Sequence, residues 1–459
     1  MYKNLHLICG KISNLALNLE YLLPSLYWSS KFYGFIMRFL LLSDIHWLAV
    51  PNELDPDAQM RNAFLRDIED FCKHKGGFDH ILISGDIARE GSKEEYDKAL
   101  KFFNILCKKT GCNFEQIYVI PGNHDKNFNA EKCAVRQAIH SGLSNESSET
   151  EKLFNSLLEQ DFDTVRTLYK PFEEYHSFAS KIDSSDNFMG RCLEKDHTLP
   201  YNPETDKLYQ KFELDNLDGY KVSLYGMNTA MISDWFDLND EGKGHKMFLP
   251  QLSYNAEVET KGHINIVMLH HPLSHLVNAD KISTVLDQNF VVQIFGHLHK
   301  PASYEHNAIH IMSGAFQPPL QDTEDKYYFP VYNILELDVT SGTPQDKLNA
   351  NLRVEKYNSE SDEFEEVNKE SKLFTVNLSK PHVDRWAEPS KKKQLELLQG
   401  VTIRKVRIAF LQLPNQKHYI NKMDQYDDNY SVSENCVRFL RKMEESGRMT
   451  ELWNELNKK

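Results

Sequence analysis

The stretch LLLSDIHW (residues 40–47) ends an apolar run on an aspartate and a histidine one residue apart. Alternate residues of an extended chain point to the same side, so Asp44 and His46 leave the end of this strand together. Further apolar runs finish in the same manner. DHILISGD (79–86) ends on Asp86, and QIYVIPGNHD (116–125) ends on Asn123, His124 and Asp125. INIVMLHHP (264–272) carries His270 and His271, and VVQIFGHLH (291–299) carries His297 and His299. A soluble chain rarely spends so many polar side chains where buried strands stop. Each pair is a half-built site whose partners lie elsewhere in the sequence.

Helices separate the first three runs. RNAFLRDIEDFCKHKGG (61–77) is amphipathic and closes on glycines. Ser92 and Glu95 form a capping box for a helix that ends at Gly111. Strands alternating with helices predict right-handed βαβ units and a largely parallel inner sheet. The carboxyl ends of such a sheet share one edge, where open α/β folds bind ligands. Residues 127–200 read as an insertion, serine-rich near 141–150 and then helical through VRTLYKPFEEYHSFASKI (165–182). Strand character returns at KVSLYGMNT (221–229), AIHIMSG (308–314) and YNILELDV (332–339).

Residues 341–373 are polar and acidic and are expected as turns, a hairpin or a linker. Beyond SKKKQ (390–394), Ser431 and Glu434 form a second capping box, and Val432, Cys436, Phe439, Leu440 and Met443 recur at helical spacing. The expected organisation is an N-terminal extension (1–36), a catalytic domain (37–345, with the 127–200 insertion), a hairpin or linker (346–395) and a helical module (396–459). Met37 opens the first strand and is the expected working start. Residues 1–36 lack the basic-then-apolar order of a signal peptide.

The charge balance, 53 Lys and Arg against 67 Asp and Glu, leaves a net charge of -14. That argues against a protein that coats nucleic acid by bulk attraction. Seven cysteines are scattered without a CxxC pair, which points to free thiols in a reducing compartment. No apolar run reaches the roughly 18 residues of a membrane span. The expectation is a soluble, cytoplasmic protein with no membrane partner.

Imidazoles, carboxylates and one amide together suit divalent transition metals better than calcium or structural zinc. Two such ions need a shared ligand, and a carboxylate can bridge where an imidazole cannot. Two ions carry four positive charges; two aspartates and one bridging hydroxide remove three, so the site stays positive and attracts phosphate. A two-metal clamp generates hydroxide and stabilises in-line displacement at phosphorus.

DIH, GD, GNHD, HHP and GHLH, in this order on successive strand ends, resemble the calcineurin-like metallophosphoesterase family. The resemblance covers about residues 37–340. It implies an α/β fold in which a β-sandwich of two mixed sheets is flanked by helices. It also implies two divalent ions (manganese, iron or zinc), one held by Asp44, His46, Asp86 and His299, the other by Asp86, Asn123, His270 and His297. His124, held by Asp125, would stabilise the phosphate or protonate the leaving oxygen. His270 is preferred to His271 because the family uses the histidine two before the proline, here Pro272. His275, His306 and His310 are expected at the surface or behind the ligands. Asn228 and Thr229 of GMNTA read as turn residues, with a place in the substrate cleft as the alternative.

The expected function is hydrolysis of a phosphoester, above all a phosphodiester in a nucleotide or cyclic nucleotide, by attack of a metal-bridging hydroxide. The alternative is a nuclease-type effector or an interaction protein recruited through the C-terminal helices. Those helices resemble small adaptor modules appended to effectors in bacterial conflict systems, which act through a protein partner or self-association. A helical cap folded back on the catalytic core accounts for the same pattern.

Overall fold

The computed structural model describes residues 35–50, 55–127, 134–145, 148–193, 201–203, 205–234, 237, 244–318, 328–378, 401–424, 426–427 and 432–457. The expectations for residues 1–36, for SKKKQ and for the Ser431–Glu434 capping box fall wholly or mainly outside them.

β1 (Met37–Leu42) is buried on both faces. Met37, Phe39 and Leu41 enter the core between two sheets, whereas Leu40 and Leu42 enter a second core beneath the helices. This is why the run is apolar throughout rather than alternating. α1 (Ala58–Lys75), β2 (His80–Ile83), α2 (Lys93–Thr110) and β3 (Ile117–Val119) follow, with β1, β2 and β3 parallel. At the start of α2 the Glu95 carboxylate accepts the Ser92 N–H at 3.0 Å, half of the reciprocal bond the sequence foretold.

The insertion supplies α3 (Ala134–Leu143), α4 (Ser148–Gln160), α5 (Phe162–Tyr169), α6 (Glu173–Lys181) and α7 (Asn187–Leu193). It shares the helix-side core: Phe178 stacks on Tyr96 of α2 with ring centroids 4.9 Å apart. Ser184 Oγ accepts the Val119 N–H of β3 at 2.9 Å.

A second sheet is built from β4 (Gln210–Leu217), β5 (Tyr220–Met227), β6 (His263–Leu269), β7 (Val292–Phe295), β8 (Ala302–His306) and β9 (Ala308–Met312), in the order β4-β5-β6-β7-β9-β8. α8 (Ala279–Asn289) connects β6 to β7. The run β5-β6-β7-β9 is parallel and the edges are antiparallel. β10 (Val331–Thr340) returns antiparallel to β1 and completes the first sheet. The architecture is the expected sandwich of two mixed sheets. The single parallel edge is corrected, because the carboxyl ends of interest come from β1, β2 and β3 in one sheet and β6 and β7 in the other.

Residues 341–373 take the hairpin among their expected readings, but as strands built into a sheet and not as a linker. β11 (Asp346–Asn358), β12 (Glu363–Glu366) and β13 (Lys372–Leu378) extend the first sheet beside β10. Buried Leu348, Ala350, Leu352 and Val354 alternate with Asn349, Asn351 and Arg353. One wet face gives such a strand a polar composition, and only the period of two marks it.

The C-terminal helices α9 (Ile403–Leu411), α10 (Gln416–Met423), α11 (Val432–Glu445) and α12 (Met449–Leu456) enclose a small core of their own around Val406, Phe410, Phe439, Leu440 and Met443. α9 docks on the sandwich and its insertion through Arg404. Its guanidinium lies 4.1 Å from the Tyr118 ring centre and 5.0 Å from that of Phe212, and donates to the Ile117 and Ile182 carbonyls at 2.7 and 3.1 Å. Arg407 pairs with Asp183 at 2.7 Å beside it.

A buried guanidinium that satisfies backbone carbonyls and stacks on two rings is costly to remove. Arg404→Ala is expected to destabilise the protein by about 2–3 kcal/mol and to let brief proteolysis release the helices after residue 400. Thermal melts and timed digestion measure both; an unchanged melt with an unchanged digestion pattern would show that the docking contributes nothing.

Candidate metal centre

The strand ends converge because backbone hydrogen bonds stitch them together. Asp86 C=O accepts the Ile45 and His46 N–H groups at 2.8 and 3.0 Å, and Gly85 C=O accepts the Asp44 N–H at 3.1 Å. Across the sandwich, Asp44 Oδ2 accepts the His297 N–H at 3.1 Å, and within the second sheet His270 C=O accepts the Gly296 N–H at 3.0 Å. Ten non-glycine residues among those described have positive φ, and five of them are Asp44, His46, Asp86, His297 and His299. This left-handed backbone turns each side chain inward just as its strand ends, at a conformational cost that such sites characteristically carry.

The donor atoms form two groups. In the first, Asp44 Oδ1 stands 3.3 Å from His299 Nε2 and 3.9 Å from His46 Nε2, and the two imidazole nitrogens face each other at 3.4 Å. In the second, Asn123 Oδ1 lies 3.0 Å from His270 Nε2 and 3.1 Å from His297 Nδ1, while His270 Nε2 lies 3.3 Å from Asp86 Oδ2. Adjacent ligands of one ion, bonded at about 2.1 Å, stand about 3 Å apart. Asp44 Oδ1 and Asp86 Oδ2 are buried and have no hydrogen bond among the described residues. Orphaned buried carboxylate oxygens facing imidazole nitrogens at ligand spacing fit a pair of divalent cations. Asp86 belongs with both groups, lying within 4.8 Å of donors from His46 and from Asp44 and His270.

Burial, aided by neighbouring histidine charge, holds the His46 and His297 pKa values down to about 3, so both rings are neutral at pH 7 and offer lone pairs. Burial also opposes a charge on His270, but the Asp86 carboxylate outweighs it and raises that pKa to about 9. The His270 Nδ1 faces the Ser84 carbonyl at 2.8 Å, which fixes a proton there and turns Nε2 toward the second group. Burial keeps His271 far below its ordinary value and therefore neutral.

His124 lies beside the first group, edge-on to His46 with centroids 4.7 Å apart. Its Nδ1 is 2.8 Å from the Arg89 carbonyl, and its backbone N–H donates to Asp86 Oδ1 at 2.8 Å. Asp125 is engaged differently from the sequence expectation. Its carboxylate accepts the Ile87, Ala88 and Gly122 N–H groups at 2.9–3.2 Å and the Tyr96 hydroxyl at 3.0 Å. It ties the loop after β2 to the loop after β3, and so places His124 through the backbone instead of gripping its ring.

The family profile of calcineurin-like phosphoesterases matches residues 37–301. The chain belongs to that family. Calcineurin-like phosphoesterases use a dinuclear divalent metal site, which agrees with the two donor groups. The uncharacterized metallophosphoesterase-like protein YydB of Bacillus subtilis (strain 168) is 22% identical over 321 residues, 67% of this chain and 58% of that protein's length. Among solved structures, a single mutant of Vps29 from Entamoeba histolytica aligns with 74% of this chain and 99% of its own, at 11% identity and a TM-score of 0.27. The sulfate thiohydrolase SoxB from Thermus thermophilus aligns with 72% of this chain and 58% of its own, at 10% identity and a TM-score of 0.30. No helix among the described residues of this chain is long and apolar enough to cross a membrane.

Sequence reasoning passed over a second polar cluster. Asp234 Oδ2 lies 2.8 Å from His140 Nδ1 on α3, and its Oδ1 lies 2.9 Å from His245 Nε2, with Asp237 3.8 Å from the same nitrogen. The cluster clips the insertion to the loop after β5. Its members sit in no strand-end motif, so spacing gave no signal. Of the remaining histidines, His275 packs 5.1 Å from His297 and His306 is exposed, whereas His310 is buried, stacked on Tyr304 at 4.6 Å, and not at the surface.

Two outcomes are expected. A Cβ on Gly122 would stand 2.2 Å from Asp86 Oδ1, so Gly122→Ala displaces that carboxylate and lowers bound metal to below two ions per chain by elemental analysis. Retention of two ions would show that Asp86 need not hold its place. The proton on His270 competes with any cation for Nε2 up to about pH 9. Metal affinity of the stripped protein therefore rises with pH across that range, read as binding constants by titration calorimetry in matched buffers.

Proposed function

We propose that this chain is a dinuclear-metal phosphoester hydrolase that favours phosphodiesters, with a nucleotide or cyclic nucleotide as substrate. Asp44, His46, Asp86 and His299 hold one cation and Asp86, Asn123, His270 and His297 the other, with manganese, iron or zinc as the metals this donor set suits. The observation that carries the reading is the pair of donor groups at ligand spacing with Asp86 common to both. Such a pair of cations, when bound, supplies Lewis acidity at phosphoryl oxygens and a nucleophilic oxygen at neutral pH.

The chain's own residues do the rest. The carbonyls of Ser84 and Arg89 orient His270 and His124. His124, with Nδ1 committed to Arg89, turns its other ring nitrogen toward the centre, where it steadies a phosphoryl oxygen or gives a proton to the leaving oxygen. Asp125 holds the two loops that carry Asp86 and His124 in register. An acid in this position suits esters whose alkoxide leaves poorly without a proton. The acidic balance of the chain favours small substrates over polymeric nucleic acid.

Asp86→Ala is expected to abolish hydrolysis of bis-p-nitrophenyl phosphate in manganese and to cut bound metal well below two ions per chain. Near-normal turnover in that variant would remove the shared-ligand reading. His124→Ala should keep both ions while slowing turnover by about 10²–10⁴-fold on substrates with alkoxide leaving groups. The loss should shrink for p-nitrophenolate, which needs little protonation. Equal losses on both substrates would make His124 a phosphate anchor and not an acid. Screening cyclic nucleotides, dinucleotides and single-stranded DNA side by side identifies the natural class.

A further inference from the structure

The adjacent histidines of HHP present opposite faces of the same chemistry. His270 Nδ1 meets the Ser84 carbonyl, which can only accept, so a proton stays on Nδ1 and Nε2 is the nitrogen that gives up its proton to a cation. His271 Nδ1 meets a hydroxyl, Thr229 Oγ1, at 2.9 Å. That same oxygen accepts the His271 backbone N–H at 3.1 Å. The hydroxyl proton needs an acceptor, and among the described residues His271 Nδ1 is the one within bonding distance. The His271 ring therefore accepts at Nδ1 and carries its proton on Nε2.

Thr229 and His271 are both buried, and Nε2 of His271 has no hydrogen-bond partner among the described residues. The ring lies against the second donor group, 4.5 Å from the His297 centroid and 4.9 Å from that of His270. A ring nitrogen of each of the three histidines lies within 4.8 Å of the others. A buried N–H without an acceptor costs free energy until something supplies one. A ring bearing hydrogen on that nitrogen cannot use it to bind a cation.

We propose that His271 is a further substrate-binding residue of the centre, whose Nε2–H donates to an anionic phosphoryl oxygen of the bound ester or of product phosphate. Thr229 is the positioning residue that fixes the ring in that tautomer. The assignment rests on the metal-centre reading above and adds a donor to it. It turns Asn228–Thr229 from an ordinary turn into part of the cleft wall, and it explains why a threonine hydroxyl is spent on two bonds to one residue.

The test uses the full chain loaded with manganese and inorganic phosphate as the probe. Metal content comes from elemental analysis and phosphate affinity from titration calorimetry. His271→Leu should retain two ions per chain and bind phosphate about 10–100-fold more weakly, the loss expected for one hydrogen bond to a charged oxygen. His271→Gln, whose side-chain amide reaches as far as Nε2, should recover most of that loss. Thr229→Val keeps the shape while freeing the ring, and should weaken phosphate binding without losing metal even if His271→Leu folds poorly. A fall in metal content in His271→Leu would make His271 a ligand and overturn the proposal. Phosphate affinity unchanged in both His271→Leu and Thr229→Val would overturn it as well. Failure of the unmutated chain to take up two ions would instead count against the metal-centre reading itself, and the donor role would fall with it.

Discussion

Asp86 is the node on which the centre depends. Its carbonyl binds the two backbone amides of Ile45 and His46, its Oδ1 binds the amide of His124, and its Oδ2 faces His270. One residue thus fixes the ends of β1 and β3 relative to β2 and turns its remaining oxygen toward the end of β6 in the other sheet. It sits in left-handed backbone beside Gly85, itself at φ 102°. A β-branched residue is strongly disfavoured in that conformation.

The centre is held against a cost. Five non-glycine residues in left-handed backbone cost about 1 kcal/mol or more each, together comparable with the net stability of a whole domain. Buried aspartates and imidazoles with orphaned donor atoms add to that. The sandwich repays it with two extended apolar cores, one between the sheets and one under the helices, both fed by β1. The insertion and the C-terminal helices brace the same region from outside: Ser184 binds the backbone of β3, and Arg404 covers its side. β3 in turn leads directly into the loop that carries Asn123 and His124.

Charge and tautomer are set by what stands behind each ring. A carbonyl behind His270 and another behind His124 force protons onto the nitrogens that face away from the centre. A hydroxyl behind His271 has the reverse effect. Identical side chains, adjacent in the chain, thereby acquire different roles, and composition alone carries no trace of the difference.

Much of the fold was legible in the sequence, since burial on both faces leaves continuous apolar runs and polar groups at their ends. The strands that carry DIH, GD, GNHD, HHP and GHLH, and the parallel pairing of β1, β2 and β3, followed from that patterning. β11 to β13 were hidden because a strand with one wet face looks like a polar loop until its period is counted. The division of the five strand ends between two sheets could not be read locally, because it depends on how the sheets stack. The same limit applied to Asp125, whose neighbour in sequence is His124 but whose carboxylate bonds the backbone of another loop. The Asp234–His140–His245 cluster joins residues that no motif connects. The sequence by itself determined the kinds of donor and the strand ends that deliver them, because those are one-dimensional properties of apolar runs. Only the tertiary structure decided which nitrogen of each imidazole faces inward, because that choice is made by backbone and hydroxyl groups that arrive from distant parts of the chain.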